Sequence, residues 1–214
     1  MVAPVSSNEA VRLRLLGRHR ILDTAPDAAL NDLARLASVI CQTPIALVSL
    51  IDEHRQWFKA VVGLNVRETP RDQAFCAHAI LDDQVMVVED AAADTRFSSN
   101  PLVTGDPRIR FYAGAPLLMR EGVALGTLCV IDRTPRQLTA EQLDALQVLR
   151  QAVVAQLELR RALADLAGAE MLLPMCAWCR DVKDHDGTWS PLHDYVMKSQ
   201  QVTHGMCPEC ASRF

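Results

Sequence analysis

Four of the seven cysteines in this chain fall within its last 39 residues, as two matched pairs. They are Cys176-Ala177-Trp178-Cys179 and Cys207-Pro208-Glu209-Cys210, with 27 residues between them. Each C-x2-C can bend around one ion, and two pairs supply the four thiolates of a closed tetrahedral zinc site. A segment this short has little core of its own, so metal binding would contribute most of its folding free energy. The spacing favours structural Zn2+ on Cys176, Cys179, Cys207 and Cys210, with a reversible dithiol switch or four incidental thiols as the other readings. The residues between the pairs can fold: the Asp186-Gly187 turn fits a hairpin, and Pro191 to Ser199 fits a short helix, parts of a zinc ribbon or treble-clef-like finger. His204 could replace one cysteine as ligand. Because four cysteines already fill the tetrahedron, a supporting role is favoured for it. His185 and His193 read as surface residues, and Trp178, Trp189 and Tyr195 as a mini-core.

Charge narrows what such a tail is for. From Cys176 to Phe214 there are four basic residues and five acidic ones, a poor balance for binding nucleic acid. The whole chain has a formal charge of −4, which gives no electrostatic reason to expect nucleic acid or an anionic membrane as partner. Met1 to Arg20 contains no long apolar run, so no signal peptide or membrane span is expected. The expected compartment is the cytoplasm, where paired cysteines bind metal or do redox chemistry more often than they form permanent disulfides.

Periodicity organises the remaining 175 residues or so into an α+β pattern. Asn8 to Arg20 reads as a short helix with Arg12, Arg14 and Arg18 on exposed faces. Leu30 to Ile40 reads as a better one, with Leu30, Leu33, Ala34, Ala37 and Ile40 on one stripe. Ile45 to Leu50 and Gln56 to Val62 flank the polar turn Asp52-Glu53-His54-Arg55, a hairpin signature. Phe75 to Leu81 is a short helix and Val85 to Val88 a short strand. Asp90 to Arg110 is a long polar stretch, of the kind that serves as a binding loop or holds short helices of its own. Phe111 to Met119 and Ala124 to Ile131 form a second hairpin. From Thr139 to about Gly168 there is no proline and no internal glycine, and Leu143, Leu146, Leu149, Val153, Leu157 and Leu163 recur at helical steps. Thr139 with Gln142 resembles a capping box. At ~1.5 Å per residue this helix would reach roughly 45 Å. The order of elements implies a mainly antiparallel sheet with helices.

Specific stretches add a family resemblance. They are Ile21-Leu22-Asp23-Thr24, Ala46 to Asp52, Arg55-Gln56-Trp57-Phe58-Lys59, Phe75-Cys76-Ala77-His78-Ala79-Ile80, Asp94 to Pro101, Phe111 to Leu117 and Gly126 to Asp132. In this order they resemble a GAF domain, the small-molecule-sensing module of bacterial signalling proteins and cyclic-nucleotide phosphodiesterases. Ala74 is a small departure, because serine often precedes the Phe-Cys pair. The resemblance implies residues 1–20 as an N-terminal helix, 21–137 as the GAF domain, 138–171 as a signalling or dimerisation helix and 172–214 as the cysteine-rich module. The tail resembles an element found at the ends of some bacterial signalling proteins.

The resemblance also sets the candidate ligand site. It puts the Cys76–His78 segment beside the pocket, with Asp90, Arg96, Phe111, Tyr112 and Thr127 as further candidates. Arg96 would meet an anionic ligand; the alternative is that Asp90, Asp94 and Asn100 simply hold turns through their side chains. On a helix, Cys76 and His78 diverge and cannot form a dyad. Bilin-binding relatives carry histidine directly after the linking cysteine, and Ala77 at that place argues against a covalent chromophore. Cys129, in an apolar strand, is expected to be buried. No phosphate-binding glycine loop, serine nucleophile elbow or zinc-protease motif is present. The expectation is a non-enzymatic sensor: a small ligand or partner binds the GAF domain, the long helix relays and dimerises, and a zinc-stabilised module docks a downstream signalling protein. The rival expectation is a thiol-dependent redox enzyme or sensor, similar to the free methionine sulfoxide reductases, with Cys76 and Cys129 as its candidates inside the domain.

Overall fold

The computed structural model describes residues 3–6, 8–170, 174–183 and 187–199 of the chain. Its framework is a six-stranded sheet in the order β3-β2-β1-β6-β5-β4, every pair antiparallel. The strands are β1 (Ile45–Ile51), β2 (Arg55–Val62), β3 (Glu68–Pro70), β4 (Met86–Val88), β5 (Phe111–Leu118) and β6 (Ala124–Asp132). The expected hairpins β1–β2 and β5–β6 form, and β1 pairs with β6 along six registered positions, Ile45 with Ile131 through Leu50 with Gly126. This middle seam brings together residues more than seventy positions apart in sequence.

Side chains on a strand alternate between faces, and here both faces are covered. On one face Ala46, Val48, Leu50, Phe111, Ala113, Ala115, Leu128 and Val130 meet helices α1 (Glu9–His19), α2 (Ala28–Cys41) and α5 (Ala140–Glu170). On the other, Ile45, Leu47, Tyr112, Cys129 and Ile131 meet α3 (Phe75–Ala79) and the stretch that carries α4 (Pro101–Thr104). That double coverage is why β1 and β6 are buried at every position rather than at every second one. Gly126 marks the tightest part of the seam, where an added Cβ would lie 1.8 Å from the Ser49 carbonyl oxygen.

Capping and ion pairs fix the helices to this frame. Asp27 caps α2, accepting from the Leu30 amide at 3.2 Å and from Arg160 Nη1 at 2.5 Å. Thr139 and Gln142 satisfy each other's amides at the start of α5, as the capping-box pattern predicts. Along α5, Leu146, Val153 and Leu157 are buried, whereas Leu163 is mostly exposed and does not extend the buried stripe. Arg150 and Arg160, which break the leucine periodicity, have local partners: Arg150 donates to the Asp83 carbonyl and Arg160 to Asp27. The polar stretch from Asp90 to Arg110 holds α4 and side-chain-supported turns. Asp90 accepts from the Ala92 amide, Asp94 from the Arg96 amide and Asn100 from the Leu102 amide.

The chain divides into two compact units, residues 1–162 and 163–214. In the second, β7 (Val182–Lys183) and β8 (Trp189–Ser190) form a two-stranded hairpin followed by α6 (Leu192–Ser199). Trp178 is 97% exposed and Trp189 about half exposed. This corrects the mini-core expectation for Trp178: it sits inside the tight turn between Cys176 and Cys179, where its side chain projects outward. No helix among the described residues is long and apolar enough to cross a membrane.

Arg12, expected on an exposed face, is instead the largest fully buried side chain among the described residues of the first unit, and its charge has to be matched there. Its guanidinium donates to the Ile51 carbonyl and pairs with Glu9 at 2.5 Å, while Arg71 reaches the same Glu9 carboxylate at 2.6 Å. The hydrogen bond from Arg12, opposed by burial and helped by Arg71, holds the Glu9 carboxyl at about 2, below its ordinary 4.5. A carboxyl with a depressed folded pKa stabilises the fold above its unfolded pKa and loses that contribution as pH falls toward the folded value. Glu9→Gln should therefore destabilise the protein near neutral pH by roughly 3 kcal/mol, through an unmatched buried Arg12. In urea titrations the gap between wild type and variant should narrow as pH falls from about 4.5 toward about 2.

Candidate functional site

The second sheet face is not filled completely. Between it, α3 and the α4 region lies a cavity of about 300 Å3, bordered by Leu47, Phe58, Phe75, Leu102, Ile109 and Ile131 as its apolar wall. The polar residues on its border are Gln56, Asn65, Thr69, Cys76 and Tyr112, with Asp106 and Arg133 as its charged ones. Ligand sites are typically apolar with a few placed polar groups, and this one has that composition. Thr69 Oγ1 is buried and has no hydrogen-bond partner.

The alternation of the strands builds the polar floor. Ser49 and Thr127 face each other across the β1–β6 seam, their hydroxyls 3.3 Å apart. Two residues on from Thr127, Cys129 points to the same face; Tyr112 of β5 does so too. Tyr112 reaches its position because residue 114 is glycine: a Cβ there would lie 2.1 Å from the Tyr112 hydroxyl. Helix α3 then lowers Cys76 onto this cluster. Its Sγ receives the Thr127 hydroxyl at 3.0 Å, the Gln56 amide at 3.2 Å and the Tyr112 hydroxyl at 3.3 Å. Cys129 Sγ lies 3.8 Å away.

This arrangement separates the two thiols chemically. Burial opposes a charge on Cys76, but hydrogen bonds from Cys129, Ser49, Thr127 and Tyr112 outweigh it and pull the thiol below its ordinary value. Cys129, which gives its proton toward Cys76 and is itself buried, is pushed well up. Burial, with the neighbouring sulfurs, also pushes the Tyr112 phenol well up, so it stays a donor. The surrounding donors therefore favour Cys76 over Cys129 as the first of the two thiols to ionise.

The seven ligand candidates divide by location. Cys76 and Tyr112 border the cavity, and Thr127 lies in its floor against Cys76. Phe111 points to the opposite sheet face, because adjacent strand residues cannot share one. His78 packs edge-on against Phe97, ring centroids 4.9 Å apart, and Phe97 stacks on Phe75 at 4.0 Å. Asp90 forms a two-pronged pair with Arg110, both contacts at 2.7 Å. Arg96 pairs with Asp94 at 2.6 Å and lies 5.0 Å over the Phe97 ring. Those two carboxylates also hold turns, the alternative weighed from their sequence. Gln56 and Thr69 were missed. Gln56 had a readable signal, since it sits two residues before Phe58 and so shares its inward face. Thr69 had none, because its strand is defined only by distant pairing.

In the second unit, Cys176 and Cys179 begin a knuckle. The Cys176 amide donates to the Asp181 carbonyl at 2.7 Å, and the Cys176 carbonyl accepts from the Arg180 amide at 3.0 Å, with Arg180 at φ 66°. The amides of Cys179 and Trp178 point at the Cys176 sulfur and lower its pKa. Amides directed at a sulfur favour the thiolate, the form that ligates zinc, at Cys176; at Cys179 the bond from the Asp181 amide is outweighed by its bond to Cys176 and by the Asp181 carboxylate, and the thiol is pushed up. Cys207, Cys210 and His204 lie outside the described residues, as does His185. Among the described residues no group of three or more metal-ligating side chains comes together.

The sequence of the GAF domain family matches residues 25–170. A cyclic di-GMP phosphodiesterase of Pseudomonas aeruginosa is 48% identical over 139 residues, covering 65% of this chain and 24% of that protein. The chain therefore spans about a quarter of that relative's length. The GAF domain of an Acinetobacter phosphoenolpyruvate-protein phosphotransferase superposes with a TM-score of 0.52 at 21% identity, over 75% of this chain and 96% of that one. The free methionine-R-sulfoxide reductase of Neisseria meningitidis does so with a TM-score of 0.52 at 18% identity, over 76% and 98%. These two show a shared fold. The phosphodiesterase overturns the expectation of a non-enzymatic protein, since a relative with nearly half its aligned residues identical is named as an enzyme. From the family match over residues 25–170, the six-stranded antiparallel sheet and its flanking helices, the chain belongs to the GAF domain family.

Proposed function

We propose that this GAF domain is the sensory part of cyclic di-GMP turnover: a small ligand enters the cavity bordered by Cys76, Thr69 and Tyr112, and its binding changes phosphodiester hydrolysis. The cavity carries this reading, since it joins an apolar wall to a buried hydroxyl without a partner and a floor of fixed donors. The phosphodiesterase relative supplies the reaction. The ligand class that fits is small and largely apolar, with one polar group for Thr69 Oγ1. Asp106 and Arg133 on the border could take an amine or a carboxylate at its other end.

The long helix α5 is the proposed relay, and a second copy of the chain its proposed partner. Val148, Ala152, Ala155, Leu159 and Ala162 follow one another at steps of four and three, all exposed, which is the a/d pattern of a coiled-coil seam. Arg150 and Arg160 do not interrupt this stripe. The tail is proposed as a zinc-stabilised docking module for a downstream protein, with Cys176, Cys179, Cys207 and Cys210 as ligands. Zinc there would act structurally, drawing the knuckle and the second cysteine pair into one fold.

Three outcomes test these statements. Native mass spectrometry of fresh protein should detect a bound small molecule, and the near-isosteric Thr69→Val should weaken its binding about tenfold, the cost of one hydrogen bond. The same variant should alter cyclic di-GMP levels in cells producing the protein. Absence of any bound molecule together with unchanged cyclic di-GMP would sink the sensory reading. The intact mass should also include one zinc per chain, lost in Cys176→Ser; a zinc-free protein with all four tail thiols open to alkylation removes the metal. In analytical ultracentrifugation, Leu159→Glu should convert a dimer to a monomer, and a wild-type monomer at the same concentration rejects the seam.

A further inference from the structure

Ligand sensing leaves one feature of the first unit unused. A binding pocket needs neither a set of donors aimed at one sulfur nor a second thiol beside it, yet the cavity has both. Cys76 Sγ is 3.8 Å from Cys129 Sγ, and three further polar side chains turn their donors on Cys76. We propose that Cys76 and Cys129 form a dithiol site that reduces a small hydroperoxide entering through the cavity and is itself oxidised to a disulfide.

The geometry assigns the roles. Cys76 borders the cavity and is the sulfur a solute can reach. Both thiols are buried, but Cys129 on β6 does not border the cavity, so it can resolve but not initiate. The Cys76 thiolate attacks one oxygen of the hydroperoxide; an S–O bond forms, the O–O bond breaks, and the departing oxygen takes a proton to leave as water or an alcohol. Cys76 is then a sulfenic acid. The Cys129 thiol gives up its proton and attacks that sulfur; an S–S bond forms and the S–O bond breaks, releasing water. Two thiols supply the two electrons that reduce the peroxide. Closing 3.8 Å to a disulfide bond length of about 2.05 Å requires a sulfur displacement of less than about 2 Å.

The surrounding groups suit both steps. Thr127, Gln56 and Tyr112 turn donors on the attacking sulfur, which favours its ionised, nucleophilic form. The Tyr112 hydroxyl can also donate to the departing oxygen, since burial keeps the phenol protonated. Cys41 is a comparison built into the same domain: it is buried against the other sheet face, and burial alone raises its pKa. Nothing around it favours oxidation. Disulfide formation would also remove the anionic acceptor from three donors at once, so the cavity floor of the oxidised protein differs from that of the reduced one. The site does not depend on a resident metabolite, because the cavity is needed only for entry.

The test uses the reduced full chain, one equivalent of hydrogen peroxide, alkylation with N-ethylmaleimide and peptide mapping. A Cys76–Cys129 linked peptide is expected, formed at least about tenfold faster than Cys41 is oxidised. In Cys129→Ser the reaction should stop at a Cys76 sulfenic acid, captured by dimedone. Peptide mapping separates this link from any in the tail, and the wild-type map decides the matter if a variant fails to fold. Full alkylation of both Cys76 and Cys129 after peroxide, with no dimedone adduct, overturns the proposal. A link from Cys76 to a tail cysteine in place of Cys129 also overturns it.

Discussion

The antiparallel pairing of β1 with β6 is the constraint on which the rest of the domain depends. Both strands are buried on both faces, so each residue must belong to one of two cores. The pairing sets which ones meet. Ile45 opposite Ile131 and Leu47 opposite Cys129 bring apolar groups together on the cavity face. Ser49 opposite Thr127 puts two hydroxyls there as well. Buried hydroxyls are costly unless satisfied, and these find each other and the Cys76 sulfur. A one-residue slip would turn Thr127 and Cys129 toward the helices and dismantle the site with the core. Gly126 helps to exclude such compromises, since any side chain there would strike the Ser49 carbonyl.

Legibility in the sequence followed the range of the interaction. The apolar stripe of α2, the hairpin β1–β2 and the capping box of α5 are encoded within a few residues, and each formed where the pattern indicated, except that the stripe closes on Cys41 and leaves Ile40 exposed. Strand β3 was invisible because Glu68-Thr69-Pro70 has no strand periodicity of its own. It exists because Arg55, Gln56 and Trp57 offer it an edge. The same distinction applies to the candidate site. Cys76 and Tyr112 belong to recognisable stretches. The link between Cys76 and Cys129 spans 53 positions and required three strands in register to appear. Phe111 shows the converse: it sits in a recognisable stretch beside Tyr112, yet alternation sends it to the other face.

The inference against enzymatic function failed for a reason of scale. The missing motifs, a phosphate loop or a nucleophile elbow, report on the residues in hand. The phosphodiesterase relative is about four times the length that this chain covers. A regulatory domain carries no trace of the reaction it controls, because its chemistry is recognition. On the proposed reading, that absence is what a sensory module of an enzyme should display, and the polar floor of the cavity carries the recognition instead.

The two-sided sheet also gives the proposed relay a physical route. Tyr112 and Phe111 are consecutive residues, one in the cavity floor and the other in the core beneath α1, α2 and α5. Anything that displaces Tyr112, whether a ligand or a Cys76–Cys129 disulfide, acts on a strand whose next side chain lies in that helical core. Close-packed interiors transmit such shifts because they have little free volume to absorb them. The link at the far side is specific: Arg160 of α5 holds the Asp27 cap of α2, and the neighbouring Lys59 of β2 anchors to Thr24 and the Ala25 carbonyl. A change in the cavity can therefore reach the long helix through one strand thickness and one ion pair. Chemical state at Cys76 and ligand occupancy beside it would then be read by the same element.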